Sequence, residues 1–301
     1  MHLPAIQTSS AQFCLLQLDL APRLAEALHL EWQDPQHRAL TARVAELLME
    51  VLSPEVSGVV VSPQHTFSSI LKKNHTTGLL LSLEQQLGGV DPLALPALIE
   101  NWGVEHVSNN YGLAKLELLY HPAEQEAIRK KQLVAEVHHY CQLLNIAFLL
   151  ELRLYAPQES EYTPEKMQEA QIMALEDMRD SCDLLALEYP SDTLSAVTIT
   201  AELDIPWVVT GRTFHQQGEP AALIGYAAYK EKLRIALESG ARGYLLDDIL
   251  WKDSFEQLPQ VEGQDPEEWL HQVEQHIKTT IRDRVVELSR IVNESAPAID
   301  E

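Results

Sequence analysis

The sequence predicts an α/β fold, a closed (β/α)8 TIM barrel, and three observations lead there. Short apolar runs recur along the 301 residues and each stops at a polar residue. A longer stretch with helical spacing follows most of them, the alternation expected of parallel strands joined by crossover helices. The first strand-to-helix turn, Leu18-Asp19-Leu20-Ala21-Pro22-Arg23, has no glycine. An open doubly wound sheet would want glycines there to cradle phosphates, so the closed barrel is preferred.

Taken in order, the first strand is read near 13–19, ending at Asp19. A helix from about Arg38 to Leu52 follows, with Leu40, Val44, Leu47, Leu48 and Val51 on one face. The strand at 58–62 is nearly all valine, as befits burial on both faces. The third, at 78–83, closes at Glu84. A short helix is predicted over Leu95–Trp102, and Asn109–Gly112 turns the chain into the fourth strand at 113–119. Glu124–Leu144 reads as a helix carrying Ile128, Leu133, Val137, Tyr140 and Leu144 at helical spacing. The fifth strand is placed at 147–154, and Pro164 opens a helix to about Arg179. The sixth, seventh and eighth strands fall at 184–188, 207–210 and 243–247, with the helix Tyr226–Ser239, stopped by Gly240, between the last two. Residues 266–294 form a long amphipathic helix, read as a cap packed on the barrel, with a homo-oligomer contact as the alternative. The whole chain, 1–301, is thus read as a single domain.

Composition narrows the function. The chain has 22 Lys and Arg against 45 Asp and Glu, a formal charge of −23. Such a surface repels phosphate backbones and anionic membranes, so neither nucleic acid nor membrane is an expected partner. Cys14, Cys141 and Cys182 are odd in number, lack metal-type spacing and suggest a reducing compartment. With no signal-type opening and no run approaching a membrane span, a soluble cytoplasmic protein is expected.

In barrels of this kind the chemistry sits where strands end. Here those positions hold Asp19, Ser62, Glu84, Lys115 with Glu117, Glu151 with Arg153, Glu188, Thr210, and Asp247 with Asp248. A lysine within an apolar strand is costly unless paired. Lys115 is either in a structural ion pair with Glu151 or a site lysine held by Asp19, Glu151 and Glu188, and the residues alone leave both open. The acidic set could also hold a hard cation, although Asp247-Asp248 capping the following turn is preferred. No metal and no cofactor is expected. His138-His139 is read as solvent-facing, and His65 and His121 as loop residues after strands two and four.

These residues resemble a known family. Lys115-Leu-Glu-Leu-Leu-Tyr-His-Pro122, Phe148–Leu152, Asp183–Pro190, Gly78–Glu84 and Gly240-Ala241 are similar, in order, to the strand segments of tagatose-1,6-bisphosphate aldolases of the class I, Schiff-base type. The resemblance runs from about Phe13 to Asn293. It implies that Asp19, Lys115 and Glu151 match an active-site aspartate, lysine and glutamate. It also implies that Ala186 stands where the family has the lysine that forms an imine with the substrate ketone. Asp248 stands at a phosphate-gripping arginine, Thr210, Gly211 and Arg212 at a backbone phosphate cradle, and Leu20 at a glutamine.

Alanine can neither attack a ketone nor act as an electron sink. Lys115 is the one lysine on a strand, and transaldolases use a fourth-strand lysine in the same barrel. Yet neighbouring carboxylates would keep Lys115 protonated, whereas a nucleophilic lysine needs a lowered pKa. Arg153 would oppose this only by pointing inward. An aspartate facing a phosphate replaces a charge-assisted hydrogen bond with repulsion, and Arg212 or Lys72-Lys73 would have to supply that grip.

The expectation is an aldolase-like lyase acting on a sugar-derived ketone, with a degenerate site. Its catalytic residues are Lys115, Glu151 and Asp19, and its substrate, a sugar or sugar phosphate, meets Glu188, Thr210, Arg212 and Arg153. The alternative is a catalytically inactive barrel retained as a binding or regulatory scaffold.

Overall fold

The computed structural model describes residues 3–19, 21–85, 91, 93–156, 163–190, 192–211, 215–216, 225–261 and 263–295. Eight parallel strands close into a ring: β1 (Phe13–Gln17), β2 (Gly58–Val61), β3 (Gly78–Ser82), β4 (Leu113–Tyr120), β5 (Phe148–Ala156), β6 (Leu184–Leu187), β7 (Trp207–Thr210) and β8 (Gly243–Leu246). Each pairs with the next in sequence, and β8 pairs back onto β1, with Phe13 opposite Gly243 and Leu16 opposite Leu246. A two-residue segment, His215–Gln216, adds to the end of β5, which explains why β5 runs to Ala156.

The helices are α1 (Ala21–Ala27), α2 (Pro35–Leu52), α3 (Val104–Asn109), α4 (Ala127–Leu143), α5 (Pro164–Met178), α6 (Thr193–Glu202), α7 (Tyr226–Glu238), α8 (Lys252–Phe255), α9 (Pro266–His276) and α10 (Arg282–Glu294). Between β2 and β3 only a 3-10 segment, Phe67–Lys72, is present. Caps follow from sequence. Asp34, Thr163, Asp192 and Asp265 each accept hydrogen bonds from backbone N–H groups of the first turn.

Strand periodicity sorts the core into two layers. Phe13, Leu15, Val60, Leu80, Leu113, Leu149, Leu184, Ala186, Val208 and Leu245 pack together inside the ring, and residues of opposite parity pack outward against the helices. Ile6, from the segment Leu3–Ile6, joins the inner layer near the start of β3. The tail helices bury Trp269, Val273, Ile277, Ile281, Val285 and Leu288 in the outer layer. Ser289 Oγ lies 2.9 Å from the Tyr244 hydroxyl and donates to Glu55 O at 3.0 Å. A π-helical turn, Ile277–Ile281, interrupts that tail and keeps both isoleucines facing inward.

Several sequence expectations need correction. Leu95–Trp102 is not a helix. Pro96 disfavours a helical Leu95, Ile99 N donates to Leu83 O at 2.9 Å, and the segment pairs antiparallel at Glu84 and Leu98. The polar residues predicted to close strands one, two, six and eight lie just past the ladders. Ser62, for example, donates its N–H to Thr66 Oγ1 instead. In α4 the buried face differs from the expected apolar stripe. Ile128 is 70 % and Tyr140 58 % exposed, while Val134, Val137, Cys141, Lys130 and His138 are buried. The buried face carries two polar residues because both are satisfied. Lys130 Nζ donates to Glu124 and Leu119 O. His138 Nε2 lies 3.4 Å from Asp183, so it does not face solvent.

The β8–β1 junction is sterically exacting. Gly243 has φ +140°, and a Cβ there would sit 1.8 Å from Phe13 O. We expect Gly243→Ala to lower stability by about 2–3 kcal/mol in urea unfolding. A change under about 0.5 kcal/mol would contradict this packing.

Candidate active site

The parity that places Leu15, Val60, Leu80, Leu113, Leu149, Ala186, Val208 and Leu245 inside the ring also fixes what stands above them. At the C-terminal ends of the strands the inward positions become Gln17 and Asp19, Ser62, Ser82 and Glu84, Lys115 and Glu117, Glu151 and Arg153, Glu188, Thr210 and Asp247. Every strand changes from apolar to polar at the same end. Asp19, Lys115, Glu151, Arg153, Glu188 and Thr210 are all at most 3 % exposed.

Lys115 is the hub. Its Nζ lies 2.7 Å from Glu84, 3.0 Å from Glu151, 3.3 Å from Asp19 and 3.9 Å from Glu117. The expected pair with Glu151 is present, and so is Asp19. Glu188, the third expected partner, instead faces Arg153, with 3.7 Å between its carboxylate and Nε. Arg153 points inward and donates to Glu117 at 2.5 Å. Two supports are not foreseen from sequence: Gln17 donates to Glu151 at 3.1 Å, and Ser82 donates to Asp19 at 2.5 Å. Glu84 is legible as a strand-end residue but not as the nearest partner of Lys115. Inward parity one step past Ser82 is the signal for it.

The electrostatics follow from burial and charge count. Burial alone would lower the Lys115 pKa, but Asp19, Glu84, Glu151 and Glu117 carry it well above the ordinary lysine range. Burial pushes Glu84 up to about 7 and Glu151 up to about 7, although Lys115 opposes both shifts. Burial likewise pushes Glu188 up to about 8 against the pull of Arg153. Burial also acts on Glu117, but Arg153 and Lys115 outweigh it and hold that carboxyl below the usual range. The same interior thus holds carboxyls driven in opposite directions, the arrangement that separates acids from bases.

Ala186 is fully buried in the inner layer, opposite Glu151 on β5 and Val208 on β7. No amine stands at that position. Thr210 faces inward from β7. Arg212 and Leu20 lie outside the described residues. Asp248 has the opposite parity to Asp247 and lies 4.0 Å from Arg23. Asp247 occupies the cap position of the turn Asp248–Leu250 without a side-chain capping bond, so the capping role is corrected.

Lys72 and Lys73 cannot supply a phosphate grip. Lys72 pairs with Glu50 at 3.5 Å, and Lys73 is engaged by Asn74 and Thr77 carbonyls just before β3 begins, at the opposite end of the barrel. His65 packs edge-on against Trp32, and His121 lies 5.9 Å from the Tyr155 ring. Among the described residues no group of three or more His, Cys, Asp or Glu could hold a metal ion, and no helix is long and apolar enough to cross a membrane.

No family model matches the chain. It is 26 % identical over 279 residues to tagatose 1,6-diphosphate aldolase 1 of Enterococcus faecalis, covering 85 % of this chain and 83 % of that protein. It is 24 % identical over 277 residues to tagatose 1,6-diphosphate aldolase of Staphylococcus aureus, covering 83 % and 81 %. Among solved structures, an archaeal fructose 1,6-bisphosphate aldolase superposes with a TM-score of 0.64 at 14 % identity, over 96 % of both chains. The fructose-bisphosphate aldolase of Slackia heliotrinireducens gives 0.58 at 11 % identity, over 96 % of this chain and 87 % of that one. Across most of its length the chain is thus similar in sequence to tagatose 1,6-diphosphate aldolases, and its closed ring of strands is the fold of class I aldolase structures.

Proposed function

We propose that this barrel is an aldolase-type lyase acting on a sugar-derived ketone, and that acid–base chemistry replaces the imine in its mechanism. One observation carries the reading. Lys115 is held protonated 3.0 Å from a Glu151 carboxyl that titrates near neutrality, and the sixth-strand position beside Glu151 is Ala186. The relatives' names supply the substrate class, a ketose.

The step balances without a covalent enzyme bond. Ionised Glu151 takes the proton of the hydroxyl β to the ketone, the carbon–carbon bond breaks, and an aldehyde leaves. The bonding pair passes to the α-carbon and onto the ketone oxygen as an enolate, which the Lys115 ammonium stabilises and protonates. Asp19 orients Lys115 from 3.3 Å. Glu188, Arg153 and Thr210 complete the substrate contacts. Arg212 is retained as a candidate substrate contact.

The test is cleavage of a panel of ketoses, with and without phosphates, followed by borohydride reduction and intact mass. We expect aldehyde release with no mass increase, and Lys115→Gln to lower kcat by about 100-fold. A reduced adduct on any lysine, or no cleavage, overturns the reading. A second reading, an inactive binding barrel, is favoured by the closed interior and by five carboxyls facing two cations, which oppose an anionic enolate. Ligand-induced stabilisation without cleavage would select it.

A further inference from the structure

Among the described residues, the two cations inside the ring sit on neighbouring strands, Lys115 on β4 and Arg153 on β5. The rest of the rim, across β6, β7 and β8, offers Glu188, Thr210 and Asp247, with no inward-facing cation there among the described residues. Parallel register sets Glu188 level with Thr210 and Asp247 one inward position further along β8. Leu187 lies opposite Val209, so Glu188 is level with Thr210, and Thr210 is opposite Leu245, two residues before Asp247. All three are 2 % exposed.

Two of the three carry unused hydrogen-bonding capacity. Neither Glu188 carboxylate oxygen accepts a hydrogen bond, its nearest cation being Arg153 Nε at 3.7 Å, and the Thr210 hydroxyl makes none. Buried polar atoms without partners are rare and point to a group that arrives with a ligand. That group must donate several hydrogen bonds and tolerate two carboxylates. A phosphate does neither. A metal ion would need clustered donors, and no such cluster stands among the described residues. An ammonium fits, having three donors and a positive charge. The formal net charge of −23 would draw such a ligand in and repel an anionic one.

We propose that the β6–β8 end of this site binds a protonated amine, so that the sugar-derived ketone is an aminoketose; the proposal rests on the sugar-ketone reading above and specifies its substrate. The ammonium lies between Glu188, Thr210 and Asp247, with the ketone toward Lys115.

The experiment is calorimetric titration of the full chain at pH 7 with 1-amino-1-deoxy-D-fructose, D-fructose and D-fructose 1-phosphate. We expect the aminoketose to bind at least 10-fold more tightly than fructose, and fructose 1-phosphate more weakly than fructose. Thr210→Val and Asp247→Asn should each bring the aminoketose-to-fructose ratio down by about 10-fold. Equal binding of aminoketose and fructose, tighter binding of the phosphate, a ratio untouched by both variants, or no binding of any of the three overturns the proposal. The two readings fail separately. Cleavage of ketoses with a preference for phosphate ends this one alone. An amine preference lost in both variants, without cleavage, ends the lyase alone.

Discussion

Replacing Lys115 with methionine is expected to cost about 3–5 kcal/mol of folding stability at pH 8, and much less at pH 5.5. The side chain is fully buried and its ammonium lies within 3.3 Å of Asp19, Glu84 and Glu151. Methionine preserves volume, so the loss is not a cavity effect. What remains is a group of carboxyls without their shared counter-charge, each of which must either ionise in a low-dielectric interior or take up a proton. At pH 5.5 protonation relieves most of that cost; at pH 8 it does not. Urea unfolding of both proteins at the two pH values measures this. A variant as stable as wild type at pH 8 would show that Lys115 is not what balances the interior.

In the unaltered protein, stability should fall as pH rises from 5.5 to 8.5. Glu84 and Glu151 are raised to about 7 and Glu188 to about 8, from an ordinary value of 4.5. The sign follows from proton binding. Between the unfolded and folded pKa values the native state holds more protons than the unfolded chain, so raising the pH favours unfolding. The stability from these three groups is fully present below about pH 4.5 and is lost through pH 7–8. A tenfold difference in proton affinity between the folded and unfolded states is worth about 1.4 kcal/mol. The three groups together should contribute on the order of 5 kcal/mol across that interval. Glu117 is displaced in the opposite sense, so its contribution is lost only in acid. Glu188→Gln should flatten the upper part of the curve, between pH 7 and 8.5. A stability that is level or rising over this range would refute the buried-acid description.

The fold is legible because its signals are local and repeated. Runs such as Gly58–Val61 and Leu184–Leu187 need only periodicity and composition to be placed, and each is observed as a strand. Where local signals fail, long-range satisfaction is the reason. The buried face of α4 carries Lys130 and His138, whose partners Glu124 and Asp183 make burial tolerable, so a hydrophobic count puts the stripe on the wrong side. Leu95–Trp102 is drawn from helix into pairing with the end of β3. In the site, Lys115, Glu151 and Asp19 are identifiable from sequence and do meet. The exchange of Glu188 for Glu84 at the lysine is not, because hydrogen-bond distance depends on how far each chain continues past its strand.

Residue order alone settles that the strands end in polar residues, that Ala186 leaves the sixth strand without an amine, and that acids outnumber bases along the rim. These are statements about identity and parity, and parity along a strand is a local property. Whether Arg153 points inward, which carboxylate neutralises Lys115, and which polar atoms are left over at Glu188 and Thr210 are matters of distance across a closed ring. Coulomb energy and desolvation depend on those distances and on exclusion of water, and neither exists until the eight strands have closed.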